Sequence, residues 1–175
     1  MNNISGIRLL KTPLNNIISM RFLKTPLNNI SSIRFLKTHP DAVLPERNHK
    51  DNLTGDSGYD VTAVEDTLIP ARGACVVPVG LKLAYLPPGI WIRIESRSGL
   101  QFKHGLQAFN GIIDNQYRGD MGVRVLNHSD KDYTVKKGDR IAQLVLYSLV
   151  TADTEWSDTV HETERGEKGF GSSGK

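Results

Sequence analysis

Cysteine is nearly missing from this chain. Cys75 is the one thiol in 175 residues, so no disulfide can close within it, and no cluster of Cys and His has metal-site spacing. That usage points to a reducing intracellular compartment, with the cytoplasm as the expected location and mitochondrion or nucleus left open. Long apolar runs are also lacking, and none approaches the roughly 20 residues that cross a bilayer. Acid is absent from the front: residues 1–40 hold Arg8, Lys11, Arg21, Lys24, Arg34 and Lys37 without an Asp or Glu, so within a total of +3 the remainder carries −3. The pI of about 9.0 therefore comes from the front, and no nucleic-acid partner is expected for the body. No segment sustains a 3.6-residue period, which removes long amphipathic helices.

What is present at the front is a tandem repeat. Ile7-Arg8-Leu9-Leu10-Lys11-Thr12-Pro13 returns as Met20-Arg21-Phe22-Leu23-Lys24-Thr25-Pro26, and Ile33-Arg34-Phe35-Leu36-Lys37-Thr38 opens a third copy. Each unit is one short apolar-basic strand and a turn, far shorter than a solenoid repeat. The third copy is expected to be the first strand of the domain, with residues 1–32 a mobile extension, 33–160 the folded body and 161–175 a C-terminal arm. A mitochondrial transit peptide is a rival reading of the extension, although its prolines oppose an amphipathic helix. Competition of the spare copies for the first-strand position is another.

After residue 50, short β-prone runs alternate with Gly, Pro, Asn and Asp. The spacing predicts strands at 59–63, 74–79, 81–85, 90–96, 120–127, 133–135 and 140–150, hence an all-β jelly roll or barrel-like sandwich. In Ile90–Ser96 the isoleucines point one way and Trp91, Arg93 and Glu95 the other. Trp91 and Trp156 are expected to pack.

Three segments carry chemistry. In Gly111-Ile112-Ile113-Asp114-Asn115-Gln116-Tyr117-Arg118-Gly119, a two-residue loop at Asn115-Gln116 would set Asp114 opposite Tyr117 on paired strands. An aspartate there, against an apolar wall of Ile112, Ile113 and the ring, can orient a water as general base in a small pocket. An aspartate capping a turn beside a core-edge tyrosine fits the same residues. Arg97-Ser98-Gly99-Leu100 follows a strand end where backbone can approach an anion, or is a plain polar turn. Arg165 to Lys175 is rich in glycine, with Ser172 and Ser173 as donors and Phe170 as a stacking ring; it reads as a closing lid or as a disordered tail. It is no P-loop, which needs a strand before and a helix after.

Taken in order, these segments resemble the trimeric deoxyuridine triphosphate nucleotidohydrolases (dUTPases), a family with five ordered motifs. They stand here as Asp56-Ser57-Gly58-Tyr59-Asp60-Val61, Ser96-Arg97-Ser98-Gly99-Leu100, Asn110 to Gly119, Lys137-Gly138-Asp139-Arg140-Ile141-Ala142-Gln143-Leu144 and Arg165 to Gly174. The resemblance covers residues 33–175. It implies a dUTPase-like jelly roll (β-clip) forming a homotrimer, each active site built from three subunits, and hydrolysis of dUTP to dUMP and pyrophosphate. By that pattern Asp114 aims water at the α-phosphate and Tyr117 lies under the deoxyribose. Gly111, Ile112, Ile113 and Gly122 read the uracil edge. Arg97, Ser98, Gly99 and Gln143 hold phosphates, Arg165, Gly171, Ser172 and Ser173 the terminal one, and Phe170 covers the base. Asp60 is a structural acid near the phosphates, and Mg²⁺ rides on triphosphate and water rather than in a carboxylate cage.

Four positions depart from the family pattern: Ser96 for a frequent proline, Ala108 for an asparagine, Asn115-Gln116 for a commoner acidic position, and Lys168 for a glycine. Rival activities are a dCTP deaminase, which would need a glutamate base, and a non-catalytic member binding a regulatory partner.

Overall fold

A computed structural model describes residues 32–169; the first two repeat copies and Phe170, Gly171, Ser172 and Ser173 lie outside them. The elements are β1 (Arg34–Lys37), β2 (Gly58–Thr62), β3 (Thr67–Ile69), β4 (Ala74–Tyr85), β5 (Ile90–Ser96), α1 (Ser98–His104), β6 (Leu106–Ala108), β7 (Ile112–Ile113), β8 (Asp120–Asn127), β9 (Tyr133–Val135) and β10 (Arg140–Ser148). Alternation decides which side chains go inside. Ile90, Ile92 and Ile94 of β5 are buried, while Trp91, Arg93 and Glu95 face outward. Trp91 stacks on Tyr147 at 4.8 Å, and its indole N–H donates to the Ser148 carbonyl.

Two four-stranded sheets, ordered β1-β4-β8-β6 and β2-β10-β5-β7, enclose one apolar core, and β3-β9 forms a small third sheet. Val77, Leu83, Leu106, Val123 and Val125 meet Val61, Ile92, Ile141 and Leu144 in that core. This is the expected jelly-roll sandwich. The predicted runs 74–79 and 81–85 are one strand, β4, kinked where its pairing with β8 shifts between Pro78 and Lys82. Gly80 sits at the kink with φ +64°, and a Cβ there would lie 2.6 Å from His39 Cβ.

The hairpin expected at Asn115-Gln116 is a crossing between sheets instead. β7 pairs with β5 in one sheet, and β8 pairs with β4 and β6 in the other, so Asp114 and Tyr117 are not strand neighbours. The cause is an anchor. The Asn115 side-chain amide donates to the carbonyls of Leu86, Pro87 and Ile90 at 3.2, 2.8 and 3.1 Å, pinning the turn to the β4–β5 connection. A second correction concerns Arg97-Ser98-Gly99-Leu100, which opens a short helix rather than a plain turn; Gly105, at φ 67°, ends it. Trp156 is fully exposed in the protomer rather than packed, as is every residue from 149 to 169 to a large degree.

Asn127 ties the small sheet to the large ones. Its buried amide donates to Ile69 and Lys131 carbonyls and its oxygen accepts from the Ser129 N–H and hydroxyl. Asn127→Ala strands these groups, and melting is expected to fall by about 5–10 °C, equivalent to about 2–3 kcal/mol. A thermal melt followed by circular dichroism checks this.

Candidate active site

Strand pairing of β2 with β10 puts Asp60 opposite Gln143, and a backbone bridge from the Asp60 N–H to the Glu46 carbonyl brings residues 46–48 alongside. The Asp60 carboxylate is only 7% exposed. It accepts from Arg97 Nε at 2.9 Å, Arg140 Nη1 at 3.0 Å and Asn48 Nδ2 at 3.2 Å. Arg140 also donates to Asn48 Oδ1, and Arg97 Nη1 to the Arg140 carbonyl. Two guanidinium groups on one carboxylate leave a net positive charge, and both arginines keep unused donors. Buried and hydrogen-bonded, Asp60 holds them in place, an arrangement that can seat an anion.

Arg97 is also the residue that starts α1. The Ser98 and Gly99 amides beside it belong to the first helical turn and have no intrahelical acceptor. Open space surrounds Gly99. Gln143 lies over Gly58: a Cβ on that glycine would collide with the glutamine Cβ at 2.8 Å, so the bare backbone lets the side chain lie flat next to Asp60. Upstream in the same motif, the His49 side chain beside Asp56 and the His49 N–H hold the Asp56 carboxyl below the usual carboxylate range. Thus the structure brings Asp60, Arg97, Ser98, Gly99 and Gln143 to one place.

The third motif runs along the neighbouring edge. Gly111 accepts from the Ile94 N–H at 2.9 Å, three residues before Arg97. Ile112 and Ile113 do not form one wall, because Ile112 is 66% exposed and Ile113 is buried. Asp114 stands exposed, with its carbonyl accepting from the Tyr117 N–H at 3.0 Å. Tyr117 folds back so that its hydroxyl donates to the Asp120 carbonyl at 2.8 Å, leaving the ring 42% exposed. The small pocket expected here is therefore an open ledge in the protomer. Gly122 lies on the other sheet, opposite Pro78, and a Cβ there would meet Val76 Cγ1 at 2.7 Å.

Sequence reasoning passed over four residues. Arg140 and Asn48 complete the Asp60 cluster, Asn115 fixes the Asp114 turn, and Ser96 Oγ bonds both the N–H and the carbonyl of Ala108. Two of the departures from the family pattern, Ser96 and Ala108, are thereby partners. Arg140 carried a signal, being inside the fourth motif; Asn48 carried none.

Among the described residues of the arm, 161–169, none hydrogen-bonds to this site. Arg165 bonds the Lys168 and Gly169 carbonyls of its own turn at 3.0 and 3.1 Å. Among the described residues no group of three or more His, Cys, Asp or Glu is arranged to hold a metal ion, and no helix is long and apolar enough to cross a membrane.

The dUTPase family model matches residues 48–174. The chain belongs to the dUTPase family. A deoxyuridine 5′-triphosphate nucleotidohydrolase of Arabidopsis thaliana is 45% identical over 133 residues, which is 76% of this chain and 77% of that protein. The Paramecium bursaria Chlorella virus 1 enzyme of the same name is 41% identical over 76% of this chain and 91% of its own. Among solved structures, the dUTPase of Staphylococcus bacteriophage 80alpha with dUpNHpp superposes at a TM-score of 0.74, with 28% identity over 83% of this chain and 99% of that one. A mutant dUTPase of S. aureus phage phi11, described with a structural Mg(II) ion, shares the fold at a TM-score of 0.67 and 23% identity.

In this dUTPase the Tyr117 ring rests on Gly119, where a Cβ would come within 2.5 Å of the phenol oxygen and 2.7 Å of Cζ. Gly119→Ala must displace the ring. Its kcat/KM for nucleotide is expected to fall about as far as that of Tyr117→Ala, roughly 10- to 100-fold, with little change in melting. Steady-state kinetics on the two variants checks this.

Proposed function

We propose that Asp114 is the group that orients a water toward the α-phosphate of dUTP, releasing dUMP and pyrophosphate. The observation that carries this reading is the geometry of the Asp60 cluster: a preformed seat with one surplus positive charge, reached from β5 only a few residues from the strand that leads into Asp114. Arg97, Ser98, Gly99 and Gln143 supply donors to the phosphates. Asp60 is the positioning acid beneath them. Tyr117, with its hydroxyl tied to backbone, offers its ring face to the deoxyribose and leaves no space for a 2′-hydroxyl. Gly111, Ile112, Ile113 and Gly122 offer backbone groups to the uracil edge.

The working form is a homotrimer. In the protomer the Asp114 ledge lies open, Arg165 bonds the Lys168 and Gly169 carbonyls of its own turn, and Val150, Trp156 and Val160 expose apolar surface along the approach to the arm. Copies of this chain complete the site, with residues 161–175 as the arm of one closing over a ledge of another, residues 33–160 as the body and 1–32 as an extension. Phe170 then covers the base, while Arg165, Gly171, Ser172 and Ser173 take the terminal phosphate. Closure replaces water around the triphosphate with fixed donors, which strengthens each charge-assisted bond.

Mg²⁺ fits this donor set only as a passenger on the triphosphate, since a hard cation with reluctant dehydration needs phosphate oxygens and waters here rather than a protein cage. Bound so, it offsets charge on the leaving pyrophosphate. The dCTP deaminase and non-catalytic readings lose support, because the relatives reported above are named as dUTP hydrolases and the hydrolytic motifs are intact. Asp114→Asn is expected to lower kcat by about 10³-fold while calorimetry still registers dUTP binding. The wild-type chain should release pyrophosphate from dUTP far faster than from UTP, dTTP or dCTP. Retained turnover in the variant removes Asp114 from its role; equal use of the four nucleotides removes the substrate assignment.

A further inference from the structure

We infer that the chain carries a second, interchangeable β1: residues 20–25 can take the place on β4 held by residues 33–38. The place is narrowly specified. Ile33 and Phe35 pack against the core, the Arg34 guanidinium sits 4.7 Å over the Tyr85 ring, Leu36 faces solvent, and the Thr38 N–H donates to the Gly80 carbonyl at 2.8 Å. Met20-Arg21-Phe22-Leu23-Lys24-Thr25 reproduces that string with one change, Met20 for Ile33, apolar for apolar. Residues 7–12 match less well, because Leu9 replaces the phenylalanine that fills the core edge.

What distinguishes the third copy lies just past the strand. Asp41 pairs with Lys137 at 2.6 Å, and the His39 carbonyl accepts from the Ala42 N–H as His39 packs at Gly80. The corresponding residues after the second copy are Pro26, Leu27 and Asn28, which give Lys137 no carboxylate. Both Asp41 and Lys137 are well exposed, and such a pair contributes little. The two arrangements therefore share the same strand contacts and differ by one exposed ion pair and a turn. Exchange needs only that the 13 residues 26–38 join the loop leading to Glu46, and loop-closure entropy grows slowly with length. Because β1 is an edge strand, nothing else in the sheet must move.

The consequence reaches the site. Glu46 and Asn48 follow that loop and touch Asp60, so the exchanged form presents the phosphate seat on a longer, looser tether. The exchange is a property of the strand and stands or falls apart from the activity assigned above.

The test uses the full chain carrying Leu9→Asp to silence the first copy. Phe22→Asp should leave melting unchanged, Phe35→Asp should lower it only slightly because the second copy substitutes, and the double variant should fall at least about 5 °C further. Disulfide trapping then locates the strand: with Cys75→Ser, Leu23→Cys and Lys82→Cys, mass spectrometry should find an intrachain 23–82 link, since Leu36 is the present partner of Lys82. Asp41→Asn should increase that link about threefold. A double variant that melts with Phe35→Asp alone, or a 23–82 link that is absent from the Asp41→Asn chain or found only between chains, overturns the inference.

Discussion

A single buried carboxylate holds the candidate site together. Asp60 sits on β2, the first strand of its sheet, and binds Arg97 from the end of β5 and Arg140 from the start of β10. Removing a lone charge from water is costly, and two guanidinium groups with an amide offset that cost through three bonds to the carboxylate and two more around it. The result is more than neutralisation. Because the cations outnumber the acid, the same bonds that satisfy Asp60 leave a fixed positive field facing outward, already oriented before any anion arrives.

The second constraint is that the candidate site lies open in the protomer. A turn pinned by Asn115 places Asp114 on an exposed ledge, and Arg165 stays within its own arm. An aspartate working as a base on water gains from exclusion of bulk solvent, which a ledge cannot provide alone. The all-β fold has paired strands at the seat and an exposed segment, residues 149–169, at its C-terminal side.

Much of this was legible beforehand, for reasons that differ by element. Strands β5, β8 and β9 have the bounds that alternation and turn residues predict, since each has one face in the core. Strands β3 and β6 were not predicted, and since β9 is likewise three residues long, length alone does not account for it. The Asp114 turn was misread as a hairpin because its two-residue spacing is the same in both arrangements; only the Asn115 amide, reaching carbonyls 25 to 29 residues away, selects the crossing. The helix at Ser98–His104 hid behind its own brevity. Asn48 could not be found, since its role depends on the Glu46–Asp60 bridge and on no local pattern. Ser96 and Ala108 looked like independent departures, and their mutual hydrogen bonds exist only once β5 and β6 are adjacent.

Arg97 is a fork that touches Asp60 and the Arg140 carbonyl and, in the proposed function, phosphate as well, a geometry that a lysine of equal charge cannot reproduce. The most direct measurement is therefore steady-state pyrophosphate release from dUTP by Arg97→Lys, with thermal melting in parallel. A fall of about 10²-fold in kcat/KM with melting shifted by only a few degrees is predicted. Wild-type turnover with lysine at this position would contradict it.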